Sequence, residues 1–260
     1  MDQILKVYLA TSAHSGLIRN RGYFASPHTH HLPQQVPQVT MPVLDTKKDL
    51  SALFSLQVQA TPDAVALEDD KTTYTYAELD QKVEDLAHAL RSHGVKRDSL
   101  VGVLLPRSAD YIIACLAALR AGGAFLVLEL AYPPEMLTDV LEDATPVVVV
   151  TYRAEVGKLK EGIPLVIVDE QEKSTGPDAN GLAPVPIETD LDRLAFVAYS
   201  SGTTGKPKGI ANPHRASVNS YDLRFELSDV QPGDRVAANV FFVVRISQSQ
   251  IDHISELTLR

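Results

Sequence analysis

The chain has 260 residues, of which 45% are hydrophobic and 22% charged, and its formal net charge is -9 at pH 7. This hydrophobic content can bury a sizeable core in one or two domains. The negative charge and the lack of a basic stripe argue against a nucleic-acid surface, and no run of about 18 uncharged apolar residues is available to span a membrane.

The single cysteine, Cys115, cannot form an intrachain disulfide. It lies in the apolar run YIIACLAAL, which predicts a buried structural thiol rather than a nucleophile. This cysteine usage favours an intracellular, reducing compartment, and we expect a cytoplasmic protein.

Residues 1–45 differ in composition from the rest of the chain, because residues 3–44 contain no acid and many Pro, Ser, Thr and His. We predict a disordered leader. An organelle transit peptide is the weaker interpretation, since only three basic residues are present. A metal-binding role for His28, His30 and His31 is likewise less favoured than a polar tail.

From residue 45 onward, helical and extended patterns alternate. Thr75 and Glu78 form a capping box for a helix that Gly94 can end, and Ser108 can cap a second helix that ends at Gly122 and Gly123. Helices are predicted at residues 79–90, 108–119, 133–141 and from 214, and strands at 100–105, 125–128, 147–151, 165–169 and 194–199. The alternation predicts an α/β fold with a mostly parallel, twisted sheet flanked by helices on both faces. Residues 173–180 read as a surface loop between strands.

The most informative segment is YSSGTTGKPKGI at residues 199–210. It combines hydroxyl donors, glycines that let backbone N–H groups approach an anion closely, and two lysines, which is a composition suited to phosphate binding. The candidate nucleotide-binding residues are Ser200, Ser201, Gly202, Thr203, Thr204, Gly205, Lys206 and Lys208. Gly209 is a further glycine that allows such an approach.

A P-loop NTPase is disfavoured. That motif needs Gly five positions before the Gly of its Gly-Lys pair, and a Ser or Thr after the Lys. Here Ser200 occupies the first position, and Pro207 follows Lys206.

The segment resembles the phosphate-binding signature of the adenylate-forming superfamily, whose members include adenylation domains of nonribosomal peptide synthetases. Two further motifs of that branch are similar in order and spacing, TYAEL at residues 75–79 and LRAGGAFLVLELAYP at 119–133. The likeness covers residues 46–243, which we take as the N-terminal part of an AMP-binding domain, truncated within its large domain.

The resemblance implies an ATP-dependent ligase that activates a carboxylic acid as an acyl-adenylate and releases pyrophosphate. ATP and Mg²⁺ are the implied cofactors, and a carrier-protein thiol or coenzyme A the implied acceptor. Thr203 and Thr204 would donate to the phosphates and Lys206 would face solvent. Lys208, matching the family's PKG triplet, would either contact phosphate or form a structural ion pair. For His214 and Arg215 we expect capping and packing of the next helix.

The resemblance also bears on the substrate. In amino-acid-activating relatives an Asp pairs with the α-ammonium, and Val240 stands at the corresponding position, beside Phe241. An apolar residue cannot pair with an ammonium, whose burial without a partner is costly. We therefore expect an acid without a free α-amino group: an aryl acid, a keto or hydroxy acid, or a quaternary-ammonium acid held by cation–π attraction.

Residues 244–260 leave the family pattern. The later family motifs, which include the magnesium ligand, the ribose-binding Asp and the catalytic lysine, are missing, so we expect the chain to be inactive alone. Read-through of an unspliced intron is the favoured explanation for this tail. The alternative is a genuine short product that binds nucleotide or a partner without catalysis.

Overall fold

The computed structural model describes residues 7–8, 45–171, 183, 185–186, 189–200, 206–227 and 236–237. The strands are β1 Val7–Tyr8, β2 Val65–Glu68, β3 Thr73–Thr75, β4 Leu100–Leu104, β5 Ala124–Val127, β6 Val148–Thr151, β7 Leu165–Ile167, β8 Leu194–Ser200, β9 Lys208–Pro213 and β10 Val236–Ala237. The helices are α1 Leu50–Ala60, α2 Tyr76–Ser92, α3 Ala109–Arg120, α4 Pro134–Ala144, α5 Val168–Gln171 and α6 His214–Leu227, with a 3₁₀ turn at Arg153–Lys158.

The larger sheet has the strand order β7-β6-β4-β5-β8-β9. Its first five strands in this order run parallel to one another, whereas β9 is antiparallel to β8. The predicted α/β class and mostly parallel sheet are therefore confirmed. All five parallel strands end at the same edge of the sheet, which is the edge where open α/β sheets bind ligands.

Apolar side chains cover both faces of this sheet. One core cluster joins α2 and α3 to one face, through residues such as Val83, Ala114 and Val101. A second cluster joins α4 to the opposite face, through residues such as Val140 and Leu126. A parallel sheet needs both faces covered in this way, and this requirement explains why its strands are apolar along their whole length.

The capping residues predicted for α2 and α3 agree with the structure. Thr75 and Glu78 form a reciprocal capping box at the start of α2, and the Ser108 side chain accepts a hydrogen bond from the Tyr111 amide at the start of α3. Gly94 and Gly122, which follow the two helices, have positive φ angles of 87° and 97°. Glycine adopts this left-handed backbone without the steric cost of a Cβ atom.

The end of the predicted strand at 165–169 is wrong. Val168 and Asp169 lie in the short helix α5. The Asp169 carboxylate accepts hydrogen bonds from the Arg153 amide, and Glu170 pairs with the Arg153 side chain. These polar contacts with the preceding 3₁₀ turn bend the chain away from the sheet edge.

A smaller sheet has the order β10-β1-β2-β3, with only the β2–β3 pair antiparallel. Its strand Val7–Tyr8 lies within residues 1–45, for which the sequence predicts a disordered leader, and it pairs in parallel with β2 and β10. The remainder of residues 1–44, including the three clustered histidines, lies outside the described residues, as does the loop predicted at 173–180.

Cys115 is buried in α3, as predicted, and burial raises the pKa of its thiol. A raised pKa keeps the group protonated and unreactive at neutral pH. In the part of the chain that the structure describes, no helix is both long and apolar enough to cross a membrane.

Candidate functional site

The segment predicted to bind phosphate, residues 199–210, begins in β8 and ends in β9, two strands that form a hairpin. Strands β8 and β9 pair in antiparallel register, with Tyr199 opposite Gly209 and Ser200 opposite Lys208. The sequence predicts a strand at 194–199 and a helix from residue 214, but not the strand β9 that lies between them. The loop tip therefore connects two hydrogen-bonded strands, which fix both of its ends.

The hairpin turns at the ligand-binding edge of the larger sheet. Strand β8 is parallel to β5, with Phe196 opposite Phe125, so its carboxyl end lies at the same edge as the ends of the other parallel strands. The two phenylalanine rings stack with centroids 5.4 Å apart, which ties the hairpin to the sheet centre. This placement agrees with the expected position of a nucleotide site.

Three of the eight candidate nucleotide-binding residues are described. Ser200 ends β8, Lys206 follows the loop tip and Lys208 begins β9. Ser201, Gly202, Thr203, Thr204 and Gly205 lie outside the described residues, as do the predicted substrate-pocket residues Val240 and Phe241.

Both lysines of the hairpin are exposed. Neither forms an ion pair within the described part of the chain, so the structural ion pair considered for Lys208 has no partner there. The positive charge of Lys206 is close enough to Glu142, near the end of α4, to influence the pKa of that carboxyl group. The pKa of Glu142 is lowered first by its hydrogen bond and ion pair with Lys160, and to a lesser degree by Lys206. The part of the hairpin next to the loop tip thus presents the ammonium groups of both lysines to solvent.

Gly209 has a different role from the one the sequence suggested. A Cβ atom at this position would lie 3.0 Å from Cζ and 3.1 Å from the hydroxyl oxygen of Tyr199. The missing side chain leaves room for the tyrosine ring. The hydroxyl of that ring donates a hydrogen bond to Asp143 on α4.

His214 and Arg215 support the helix that follows the hairpin, as predicted. The His214 amide donates to the Arg193 carbonyl at 3.0 Å, and His214 Nδ1 accepts a hydrogen bond from the Leu50 amide at 3.2 Å. Arg215 pairs with Asp192 at 2.8 Å. These contacts join the start of α6 to the start of α1 and to the turn before β8.

A cavity of about 210 Å³ lies at the other edge of the sheet, near the starts of the parallel strands. Its wall includes Arg120 and Arg193, which are already paired with carboxylates: Arg120 with Asp80 and Glu84, and Arg193 with Asp49. Because it lies at the opposite edge of the sheet from the carboxyl end of β8, this cavity is separate from the β8–β9 hairpin.

The described residues contain no group of three His, Cys, Asp or Glu side chains placed to hold a metal ion. The described part of the hairpin carries the ammonium groups of Lys206 and Lys208 and the hydroxyl of Ser200. The charged groups that are present suit a phosphate chain directly.

Comparison with known proteins decides the family. A family model described as AMP-binding enzyme matches residues 54–248, which is most of the chain. The chain belongs to the AMP-binding enzyme family. The resemblance identified from the sequence is therefore confirmed.

Curated relatives and solved structures agree. The chain is 69% identical over 210 residues to glycine betaine reductase ATRR of Emericella nidulans, covering 79% of this chain and 16% of that protein. It is 37% identical to tyrocidine synthase 1 of Brevibacillus parabrevis, covering 73% of this chain and 17% of that protein. The nonribosomal peptide synthetase FmoA3 in its AMPPNP-bound form matches with a TM-score of 0.67 and 27% identity, over 78% of this chain and 21% of that one. The chain thus spans about a sixth of the length of the two curated relatives.

Proposed function

We propose that this chain forms the phosphate-binding part of an enzyme that uses ATP to activate a carboxylic acid as an acyl-adenylate. The observation that carries the proposal is the β8–β9 hairpin of an AMP-binding family member, turned at the ligand edge of the sheet with Lys206 and Lys208 exposed. A hairpin of this composition suits a polyphosphate because it offers hydroxyl groups, backbone amides and positive charge together.

The proposed reaction is a displacement at phosphorus. A carboxylate oxygen of the acid bonds to the α-phosphorus of ATP, the bond from that phosphorus to the bridging oxygen breaks, and pyrophosphate leaves with the electron pair. Loop residues 200–208 would hold the β- and γ-phosphates, with Thr203 and Thr204 donating hydrogen bonds. Positive charge beside the leaving pyrophosphate would stabilise the transition state, and fixed geometry would align the attack.

The proposed substrate class is a quaternary-ammonium acid, with glycine betaine as the first candidate. The relative at 69% identity is named a glycine betaine reductase. Val240 and Phe241, proposed from the sequence to line the pocket, suit a trimethylammonium group. Such a group has no N–H to pair with a carboxylate and is attracted to an aromatic face. Aryl, keto and hydroxy acids are the competing classes.

We propose a carrier-protein thiol or coenzyme A as the acceptor of the activated acid, in the cytoplasm. A carboxylate is a poor electrophile, and activation as an adenylate followed by transfer to a thiol makes it reactive. The two acceptors predict different products, a protein-bound thioester and a soluble one.

The test is carboxylate-dependent exchange of pyrophosphate into ATP. Because the chain corresponds to 16% of the betaine reductase, the assay uses that reductase with its matched 210-residue segment replaced by the segment of this chain. We expect exchange with glycine betaine to exceed exchange with glycine by about 100-fold or more, because burying an ammonium without a carboxylate partner costs several kcal/mol.

The neutral isostere 3,3-dimethylbutanoate is the matched control for charge. It keeps the shape of betaine, so a loss of about 10-fold or more would assign recognition to cation–π attraction. Equal exchange with the isostere would indicate recognition by shape alone. Preference for an ordinary amino acid would contradict the proposed substrate class.

The purified 260-residue chain gives the second arm of the test. We expect it to bind ATP, and Lys208→Gln to weaken that binding relative to the exposed control Lys82→Gln. Failure of both the chain and the exchanged reductase to use ATP, with both proteins folded, would favour the alternative function of a non-catalytic partner-binding product.

A further inference from the structure

We infer that Asp143, Tyr199 and Gly209 form a brace that positions the phosphate loop, with Tyr199 as its central positioning residue. The consequence for nucleotide binding rests on the proposed function, whereas the effect of the brace on the hairpin does not. None of the three residues was among the candidate nucleotide-binding residues.

Tyr199 connects the hairpin to the core. Its side chain is only 4% exposed and belongs to the same apolar cluster as Leu137, Val140 and Leu141 of α4. Its hydroxyl reaches past these residues to the Asp143 carboxylate at 2.5 Å, near the end of that helix. One side chain thus joins β8 to α4 by both packing and a hydrogen bond.

Gly209 completes the brace from the opposite strand. It pairs with Tyr199 across the hairpin, and the tyrosine ring fills the space that a side chain at 209 would need. Only the Ser200–Lys208 pair lies between this contact and the loop tip. The ring therefore fixes the position of both strands one residue pair away from the loop tip.

The hydrogen bond has a defined direction. Burial, followed by the hydrogen bond and charge of Asp143, raises the pKa of Tyr199 above its ordinary value. The hydroxyl therefore remains protonated throughout the physiological range and donates to the carboxylate. Donor and acceptor therefore keep the same roles over this pH range, and the bond between β8 and α4 persists.

The brace should affect how tightly a polyphosphate binds to the loop. Holding the two ends of a loop at a fixed separation reduces the number of conformations that the loop can adopt, so binding then has less ordering entropy to overcome. Loosening the brace should weaken binding of a ligand that fills the loop more than binding of a ligand that does not. ATP and AMP form such a pair, because AMP lacks the β- and γ-phosphates.

The chain offers a matched control. Tyr132 is partly buried and packs against the same apolar cluster, and its buried hydroxyl has no hydrogen-bond partner within the described residues. Tyr199→Phe and Tyr132→Phe therefore delete the same atom, and only the first deletion breaks the brace. Gly209→Ala tests the other strand, because its methyl group would displace the ring.

Two measurements on the 260-residue chain test the inference. Amide hydrogen exchange at residues 208–210 should be about 10-fold faster in Tyr199→Phe and Gly209→Ala, and unchanged in Tyr132→Phe. The Kd for ATP should rise about 3- to 10-fold in the two brace variants, with the Kd for AMP changing less than about 2-fold.

The outcomes separate the inference from the proposed function. Exchange and ATP affinity in Tyr199→Phe that match those of Tyr132→Phe would overturn the brace. A Kd for AMP that rises as much as that for ATP would also overturn it, because that pattern indicates general loss of structure. Absence of ATP binding in the unmodified chain would count against the proposed function, and hydrogen exchange would then decide the brace alone.

Discussion

At the scale of single residues, His214 is buried in a position that disfavours its charged form. It is fully buried, and its Nε2 atom has no hydrogen-bond partner within the described residues. Burial, followed by the nearby charge of Arg193, lowers its pKa from 6.5 to about 4, and Asp49 and Asp98 oppose this shift only in part. The histidine is therefore neutral when folded at physiological pH.

This environment predicts a loss of stability in mild acid. The unfolded chain binds a proton at His214 near pH 6.5, whereas the folded chain does not until about pH 4. Stability is therefore fully present above pH 6.5 and falls as the pH decreases toward 4. Between pH 7.5 and 5.0 the linkage amounts to about 2 kcal/mol, which urea unfolding at the two pH values measures.

The variant His214→Gln separates this group from the rest of the chain. Its free energy of unfolding should fall by about 2 kcal/mol less between the two pH values than that of the unmodified chain. His93→Gln, at a histidine that is exposed, is the control for replacing a histidine side chain as such. Identical pH profiles for the unmodified chain and His214→Gln would contradict the prediction.

At the scale of secondary-structure elements, Gly123 fixes the approach of α3 to β5. A Cβ atom at this position would lie 2.7 Å from the Ser99 carbonyl oxygen and 2.9 Å from a Val95 methyl carbon. Because the nearest atom belongs to the backbone, it cannot move aside cheaply. We expect Gly123→Ala to destabilise the chain by about 1–3 kcal/mol in urea unfolding.

Gly157 is the matched control for this substitution. No atom lies within 4 Å of a Cβ built at Gly157, which is in the 3₁₀ turn. Gly157→Ala should be neutral or slightly stabilising, because alanine reduces the freedom of the unfolded chain. Equal effects of the two substitutions would show that contact with Ser99 does not limit the helix–strand connection.

The elements predicted correctly from sequence are those with local signals. Helix α2 has its capping box, apolar period and terminal glycine within 20 residues, and each of these features acts over one turn. Strand β9 has no such signal, since its first four residues are exposed and it contains both Gly209 and Pro213. It is a strand because β8 pairs with it, and the same reasoning applies to the two-residue β1.

The candidate site likewise contains residues that could be predicted from the sequence and a contact that could not. Ser200, Lys206 and Lys208 could be proposed as candidates from motif composition, and they lie at the facing ends of β8 and β9. The contact between Asp143 and Tyr199 joins residues 56 positions apart. Its existence depends on how α4 packs across β8, and residue types alone do not carry that information.

At the scale of the whole molecule, a buried ion pair joins three elements that are distant in sequence. Asp49 is completely buried at the start of α1, and its carboxylate accepts hydrogen bonds from the Ala52 and Asp190 amides and from Arg193 at 2.7 Å. Arg193 immediately precedes β8, and its carbonyl accepts from the His214 amide at the start of α6. The strand that leads to the phosphate loop is thus anchored at its opposite end.

Removing this charge should affect the entire fold. Asp49→Asn leaves Arg193 buried without a charged partner, and we expect a loss of about 3–5 kcal/mol in the free energy of unfolding. Asp192→Asn is the control, because it breaks the exposed ion pair with Arg215, in which the Asp192 side chain is 73% exposed, and should cost less than about 1 kcal/mol. If the anchor transmits order to the hairpin, Asp49→Asn should also speed amide exchange in β9 at denaturant concentrations where the fold persists. Equal stability of the two variants would mean that the α1, β8 and α6 termini are held by apolar packing instead.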